Sequence, residues 1–265
     1  MSQMFVDTPA LNFRSAPVVS EETRIGSVFL GQRLSSVESA DEPGWVSCKA
    51  EIEGRDVTGF VSRRFLRAPL SDSRERLVAS VFTEWMRFKR GLGPEHHDPF
   101  FRFVGEMWNA INLGHLDGRD RDVPWSAAAI SFMVRNAGSD YANFRFAAAH
   151  SRYTHQAINA RLQNDRSIPF WGFRLHEARP EIGDIICRDN PTHGANVDYD
   201  FAASSDAYRS HTDIVMKIDS ENNKLLAIGG NVGHSVKIAT YDLTQGDFAD
   251  DSHHTFAILK NMTDQ

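Results

Sequence analysis

Three segments of the chain carry residue types that could together cleave an amide bond. Ser126 opens an apolar run that predicts a helix, so its hydroxyl would lie at the positive helix end. His211 lies in a later run that predicts a strand, and Asn231 follows the next strand in a Gly-Gly-Asn turn. A hydroxyl, an imidazole that takes its proton and a polar group that orients the imidazole are the parts of nucleophilic catalysis. Their order favours a serine-dependent hydrolase.

Asp213, His150 and Trp125 extend this hypothesis. Asp213 stands two positions after His211, so both side chains project to one face of the strand and Asp213 could orient the imidazole. An error of one residue in register would turn both to the other face. His150 opens a further predicted helix and is a second candidate for the general base. Trp125 directly precedes Ser126 and is a candidate substrate-binding residue.

Each of these residues also has a purely structural interpretation. Serine is a frequent helix cap, and asparagine suits a left-handed turn such as the one at Asn231. His150 and His211 could each be a buried histidine with a satisfied hydrogen bond. If the protein binds without catalysing a reaction, we expect Ser126 to be buried behind Trp125. If it is an enzyme, we expect a groove that exposes the Oγ of Ser126 within hydrogen-bond reach of His211.

A metal-dependent hydrolase is the rival chemistry for the same residues. His150, His211 and Asp213 could supply two imidazoles and a carboxylate to zinc, with one position left for water. No short motif of the HExxH type accompanies them, so we expect no cofactor and keep zinc as the alternative. Cys48 and Cys187 are too few for a disulfide framework or a four-cysteine zinc site, and we expect both to be buried.

Composition limits the possible partners and locations. The 265 residues carry a net charge of −6, which argues against a general nucleic-acid-binding protein. No run of about 18 apolar residues predicts a membrane-spanning helix. The start of the chain lacks the basic head and apolar stretch of a signal peptide. We therefore expect a protein made in the cytoplasm, whose export would need a signal-independent route such as a secretion system or phage-style lysis.

Hydropathy patterns predict two domains. Residues 1–68 alternate with period two between glycine and proline breaks, which predicts a small all-β unit, and residues 69–73 predict a linker. Residues 74–265 predict helices at 74–89, 99–112, 126–136 and 150–162, followed by strands at 183–187, 212–218, 225–228, 235–240 and 255–259. Helices followed by an antiparallel sheet predict an α+β fold.

The first domain resembles a bacterial SH3-like domain. The resemblance rests on residues 11–17, 24–26, 44–46, 58–62 and 65–66, which occur in the order of that module. It implies a small barrel that in this family often binds peptidoglycan or another wall polymer, although some copies only support a neighbouring domain. Trp45 and Arg14 would then line a ligand groove. The alternative is that Trp45 packs the barrel and Arg14 is solvated.

The second domain resembles a bacterial family called domain of unknown function 2272. The similar segments are residues 107–110, 116–119, 122–128, 148–153, 183–187, 211–215 and 228–232. They spread over residues from about 84 to 240. Most of the candidate site residues, including Ser126 and His211, fall within these segments.

A more distant resemblance links this domain to cell-wall amidases and endopeptidases of the CHAP and NlpC type. It rests on Gly183, Asp184, His211 and Asn231, which are similar to strand landmarks of those papain-like enzymes. It implies a papain-like fold and hydrolysis of peptidoglycan amide bonds. Two departures are present, since serine stands at 126 where the nucleophilic cysteine is expected and glycine stands at 229 where an acidic residue is often found.

Overall fold

The computed structural model describes residues 2–190 and 196–264. Contacts within the chain divide it into two compact units, Met1–Ser71 and Asp72–Gln265. The first unit is built from strands and the second combines helices with an antiparallel sheet, which confirms the predicted α+β class. In the described part of the chain, no helix has both the length and the apolar character needed to cross a membrane.

The first unit is a curled antiparallel sheet. Its described strands are β1 (Met4–Val6), β2 (Ala10–Arg14), β3 (Arg24–Phe29), β4 (Arg33–Ser39), β5 (Trp45–Ile52), β6 (Arg55–Ser62) and β7 (Leu66–Arg67), in the spatial order β3-β2-β6-β5-β4-β1-β7. Side chains alternate along β5, where Val46, Cys48, Ala50 and Ile52 are buried. This period-two pattern places one face of each strand in a common apolar core.

The second unit places helices against a second antiparallel sheet. Its described helices are α1 (Asp72–Arg87), α2 (Phe100–Asn109), α3 (Ser126–Asn136), α4 (His150–Gln163) and α5 (Tyr199–Ser204). The strands are β8 (Phe170–Phe173), β9 (Ile185–Asp189), β10 (Ser210–Asp219), β11 (Lys224–Gly229), β12 (Lys237–Asp242) and β13 (Thr255–Asn261), in the order β12-β11-β10-β9-β13-β8. Helix α3 contacts α1, α2, β10 and β11, so it is the central element of the helical layer.

Small residues let α3 approach the sheet closely. Ala127, Ala128 and Ala129 are almost completely buried at its start. Gly230 directly follows β11, and a Cβ atom at this position would collide with Ala129 and with the ring of Trp125. The start of α3 is therefore held against the turn after β11, at the end of the sheet that carries His211.

A buried ion cluster fixes α1 to the sheet. Arg74 on α1 lies 3.0 Å from the fully buried carboxylate of Asp184 and 2.8 Å from that of Asp264. Lys260 on β13 approaches the other oxygen of Asp184 to 2.7 Å. Burial raises the pKa of Asp184, and the charges of Lys260 and Arg74 oppose that rise. The carboxylate thus joins α1, β13 and the segment that enters β9.

Candidate functional site

The starts of two helices meet at a serine and a histidine. Ser126 is the first residue of α3 and His150 is the first residue of α4. The Oγ of Ser126 lies 2.6 Å from the Nε2 of His150, and their exposed fractions are only 8% and 6%. The Nδ1 of His150 lies 2.8 Å from the Oγ1 of Thr212 and also contacts the hydroxyl of Tyr153. Both ring nitrogens are therefore occupied, which fixes the imidazole in place.

The neutral state of the His150 imidazole suits a general base. Burial lowers the pKa of His150 well below its usual 6.5, and the charge of His211 lowers it further while Asp213 raises it. The ring is therefore neutral at pH 7. In the tautomer with a proton on Nδ1, the ring donates to Thr212 and its Nε2 accepts the hydroxyl proton of Ser126. This arrangement can remove the serine proton during attack on a carbonyl carbon.

The same pKa predicts an acid-sensitive fold. The unfolded chain binds a proton at His150 near pH 6.5 that the folded protein excludes, so the free energy of unfolding falls as pH decreases below 6.5. The contribution of this one residue is at most about 1.4 kcal/mol per pH unit. Urea unfolding at pH 7.5 and pH 5.5 should show a smaller difference for His150→Gln than for the wild type. An equal difference in both proteins would contradict the assignment.

The first turn of α3 can stabilise negative charge. Trp125 is the N-cap residue, and its side chain makes no capping hydrogen bond to the amides that follow. Its indole Nε1 instead donates to the buried carboxylate of Glu95, and its ring stacks on Phe88 at 5.6 Å. The other oxygen of Glu95 lies 2.9 Å from the Nδ1 of His234. Trp125 is 2% exposed, so it holds the helix start in place. Because Trp125 does not cap the helix, the first amides of α3 can donate to a developing negative charge.

A second hydrogen-bonded chain begins at His211. The Nε2 of His211 lies 2.9 Å from one oxygen of Asp213, and the hydroxyl of Tyr241 donates to the other. Thr212 lies between His211 and Asp213 on β10 and bonds to His150 on α4. Because successive side chains of a strand point to opposite faces, the side chain of Asp213 points away from the helices. The rings of His150 and His211 lie 5.2 Å apart. The structure thus brings His150 to Ser126, and brings His211 to Asp213.

Asp213 is a fully buried carboxylate that stays ionised. Burial raises its pKa, but the charge and hydrogen bond of His211, the hydrogen bond of Tyr241 and the charge of Arg188 outweigh burial and lower the pKa overall. Gly229 lies on the neighbouring strand, and a Cβ atom there would collide with the carboxylate of Asp213. Gly229 therefore leaves room for the carboxylate of Asp213 on β10.

The remaining site candidates are Asn231, Trp45 and Arg14. Asn231 is partly buried in the turn after β11 with φ +56°, and it is not among the described hydrogen-bond partners of Ser126, His150 or His211. In the first unit, Trp45 opens β5 and is partly buried.

Arg14 is a buried residue of the first unit, with an exposed fraction of 5%. Its guanidinium donates to the carbonyl of Ser20 and, at 3.1 Å, to the Oγ1 of Thr23, so it holds the turn before β3. Arg14 is thus not solvated. The ligand groove predicted for Arg14 and Trp45 stays a prediction.

In residues 2–190 and 196–264, the candidate zinc ligands do not form a metal-binding cluster, and both cysteines are buried. No three histidine, cysteine, aspartate or glutamate side chains in these ranges are arranged to hold a metal ion. The Nε2 atoms of His150 and His211 face Ser126 and Asp213, so the three ligands of the zinc hypothesis do not converge. Burial raises the pKa of both cysteine thiols to about 12, so they remain protonated at neutral pH.

Sequence reasoning missed Tyr153, Thr212 and Glu95. Tyr153 stands three positions after His150, a spacing that puts both on one face of a helix. Thr212 lies between two candidate residues, and the alternation that pairs those two also assigns Thr212 to the opposite face. Glu95 lies in a loop before α2, and nothing in its local sequence signals its contact with Trp125.

Comparison with known proteins places this site within a bacterial family. No curated protein matches the chain. The model of the family DUF2272, described as an uncharacterized protein conserved in bacteria, matches residues 106–257. This range is more than half of the chain and includes Ser126, His150, Thr212 and Asp213. The chain therefore belongs to the DUF2272 family.

Proposed function

We propose that this protein is a serine-dependent amide hydrolase and that peptidoglycan peptides are its substrate class. The observation that carries the proposal is the 2.6 Å contact between the Oγ of Ser126 and the Nε2 of His150 at the start of a buried helix. A nucleophile, a neutral base and free helix amides then lie within one small volume. The choice of peptidoglycan is supported by the resemblance to wall amidases and endopeptidases.

The proposed reaction proceeds through an acyl-enzyme. The Oγ of Ser126 attacks the substrate carbonyl carbon while its proton moves to the Nε2 of His150. The first amides of α3 donate to the oxyanion, and His150 returns the proton to the leaving amine. Water, activated by the same imidazole, then cleaves the ester bond and restores the hydroxyl.

Hydroxyl groups orient the imidazole of His150, whereas in many hydrolases a carboxylate orients the catalytic histidine. Thr212 accepts from Nδ1 at 2.8 Å, and the hydroxyl of Tyr153 lies 2.8 Å from the Oγ1 of Thr212. The nearest described carboxylate that acts on His150 is Asp213, which lies beyond His211 and favours the protonated ring formed during attack. A positive charge on His150 is therefore tolerated transiently, while the resting ring stays neutral.

The two finer fold assignments belong to the same proposal. A papain-like fold is supported by the order along the chain of a serine that opens α3, a histidine on β10 and an asparagine after β11, while the base that contacts the serine is His150 on α4. An SH3-like module is supported by the curled sheet of residues 2–71, and we propose that it binds peptidoglycan or another wall polymer. A wall substrate would require export of this protein.

Digestion of purified peptidoglycan tests the proposal. The wild type should release new muropeptides, Ser126→Ala should release none, and a chelator should leave the wild-type products unchanged. Ser131→Ala is a matched control, because Ser131 is also a buried serine of α3 but bonds to the carbonyl of Ala147. Products from Ser126→Ala that disappear with chelator would replace this mechanism with the zinc alternative.

A non-catalytic binding protein is the second candidate, and the burial of the serine and histidine favours it. Exposed fractions of 8% for Ser126 and 6% for His150 leave little surface for a substrate. This candidate predicts that the wild type pellets with peptidoglycan and releases no product. It also predicts that Ser126→Ala pellets as well as the wild type does.

A further inference from the structure

A polar groove lies on the face of the second sheet that carries Asp213. Arg188 on β9 and Tyr241 on β12 contribute its buried and partly buried side chains, and the loop before β13 contributes its rim. The complete lining is Arg188, Ala239, Thr240, Tyr241, Ser252, His253 and His254. The Ser126–His150 contact involves none of these residues.

Arg188 brings a positive charge into this groove. It is partly buried, and its charge lowers the pKa of Asp213. The two oxygens of Asp213, however, are already bonded to His211 and Tyr241. In the part of the chain that the structure describes, Arg188 forms no ion pair. A guanidinium carries five N–H donors, and the hydroxyl of Tyr241, which accepts from Arg188, cannot satisfy all of them. Partial burial makes it costly to leave the other donors without acceptors.

The other polar groups of the groove are mostly donors. Hydroxyls of Thr240 and Ser252 and the imidazoles of His253 and His254 line it beside the guanidinium. A ligand that accepts several hydrogen bonds and carries negative charge would satisfy all of them. An oxyanion meets this requirement, and its two neighbouring oxygens fit the fork of an arginine.

Acidic residues near the groove are matched by local partners. Asp242 forms ion pairs with Lys224 and with the Nε2 of His253, the latter at 2.9 Å. A carboxylate oxygen of Asp250 accepts from the backbone amide of Ser252 at 2.8 Å. Asp251 is exposed, so its charge is screened by solvent. Among the described residues, Arg188 is therefore the charged side chain of the groove lining that has no direct ion-pair partner, and Asp213 acts on it only at longer range.

We propose that this groove binds an oxyanion, the carboxylate or phosphate group of a small ligand, with Arg188 as its anchor. The site is distinct from the proposed hydrolytic site and does not depend on the activity of Ser126. Hydroxyls and imidazoles of the rim would complete the hydrogen bonds. The hydrogen-bonded chain of Tyr241, Asp213 and His211 lies directly beneath it and holds Tyr241 in position.

Titration of the whole protein with inorganic phosphate and with acetate tests this site. Amide chemical shifts in the range 252–254 and at Arg188 should change saturably, with dissociation constants in the millimolar range. The anion that binds more tightly identifies the ligand group. Arg188→Gln should weaken binding by about 10- to 100-fold. Arg166→Gln removes the same charge from an exposed turn and should leave the affinity unchanged.

Two further variants keep the test decisive if Arg188→Gln does not fold. Arg188→Lys retains the charge without the fork and should bind more weakly than the wild type. Asp251→Asn removes an exposed negative charge beside the rim and should bind slightly more tightly at low salt. Shifts that do not saturate, or equal affinities for the wild type and the Arg188 variants, would overturn the proposal.

Discussion

Replacing His150 with alanine should abolish peptidoglycan hydrolysis almost as completely as replacing Ser126. The Nε2 of His150 is the described base that contacts the serine Oγ, so either substitution should lower kcat on the order of 10⁶-fold. His211→Ala should lower kcat by less than about tenfold, because His211 bonds to Asp213 and does not touch Ser126. The hypothesis drawn from the sequence, with His211 as the base, predicts the reverse.

The pH dependence of the same reaction provides an independent check. Because burial lowers the pKa of His150 well below 6.5, the ring stays unprotonated, and so able to accept a proton, in mildly acidic solution. The acid limb of the kcat/KM profile should therefore lie below pH 6.5. Thr212→Val removes one of the two hydroxyls that contact Nδ1, leaving that of Tyr153, and should reduce kcat while the protein remains folded. A kcat that falls equally for His150→Ala and His211→Ala would contradict the assignment of the base.

Replacing Asp184 with alanine should produce the largest loss of stability. It would leave Arg74, which is 5% exposed at its side chain, and Lys260, which is 11% exposed, without their buried counter-charge. Removing one partner of a buried ion cluster costs about 3–5 kcal/mol. The free energy of unfolding from urea titration at pH 7 measures the loss.

An exposed ion pair of the same helix supplies the matched control. Arg76 and Asp140 form an ion pair in which both side chains are more than 40% exposed. Asp140→Ala should therefore change the free energy of unfolding by less than about 1 kcal/mol. Similar losses for Asp184→Ala and Asp140→Ala would show that the buried cluster does not fix α1 to the sheet.

Local sequence patterns predicted the regular elements around the site well. Helix α3 begins at Ser126 and ends at Asn136, as its apolar face and the following glycine indicate. Strand β8 was not predicted because its four residues are too few to show a period. Helix α5 was also not predicted, and it is a six-residue helix whose N-cap is Asp198. Both elements depend on packing against distant parts of the chain more than on their own propensities.

The pairing within the site could not be read from local patterns. Alternation correctly placed His211 and Asp213 on one face of β10, and their side chains do bond to each other. It could not decide which face meets α3 and α4, since a shift of one residue exchanges the two faces. The structure assigns the helix side to Thr212. His150 reaches Ser126 because two helix starts meet, and that contact joins residues 24 positions apart.

Covalent labelling of Ser126 tests the central claim most directly. A fluorophosphonate reacts with serine hydroxyls that a neighbouring base activates, and intact mass followed by peptide mapping locates the adduct. The account predicts one adduct per chain, located on Ser126, absent in Ser126→Ala and His150→Ala and retained in His211→Ala. An unlabelled wild type, or an adduct that persists in His150→Ala, would contradict activation of Ser126 by His150.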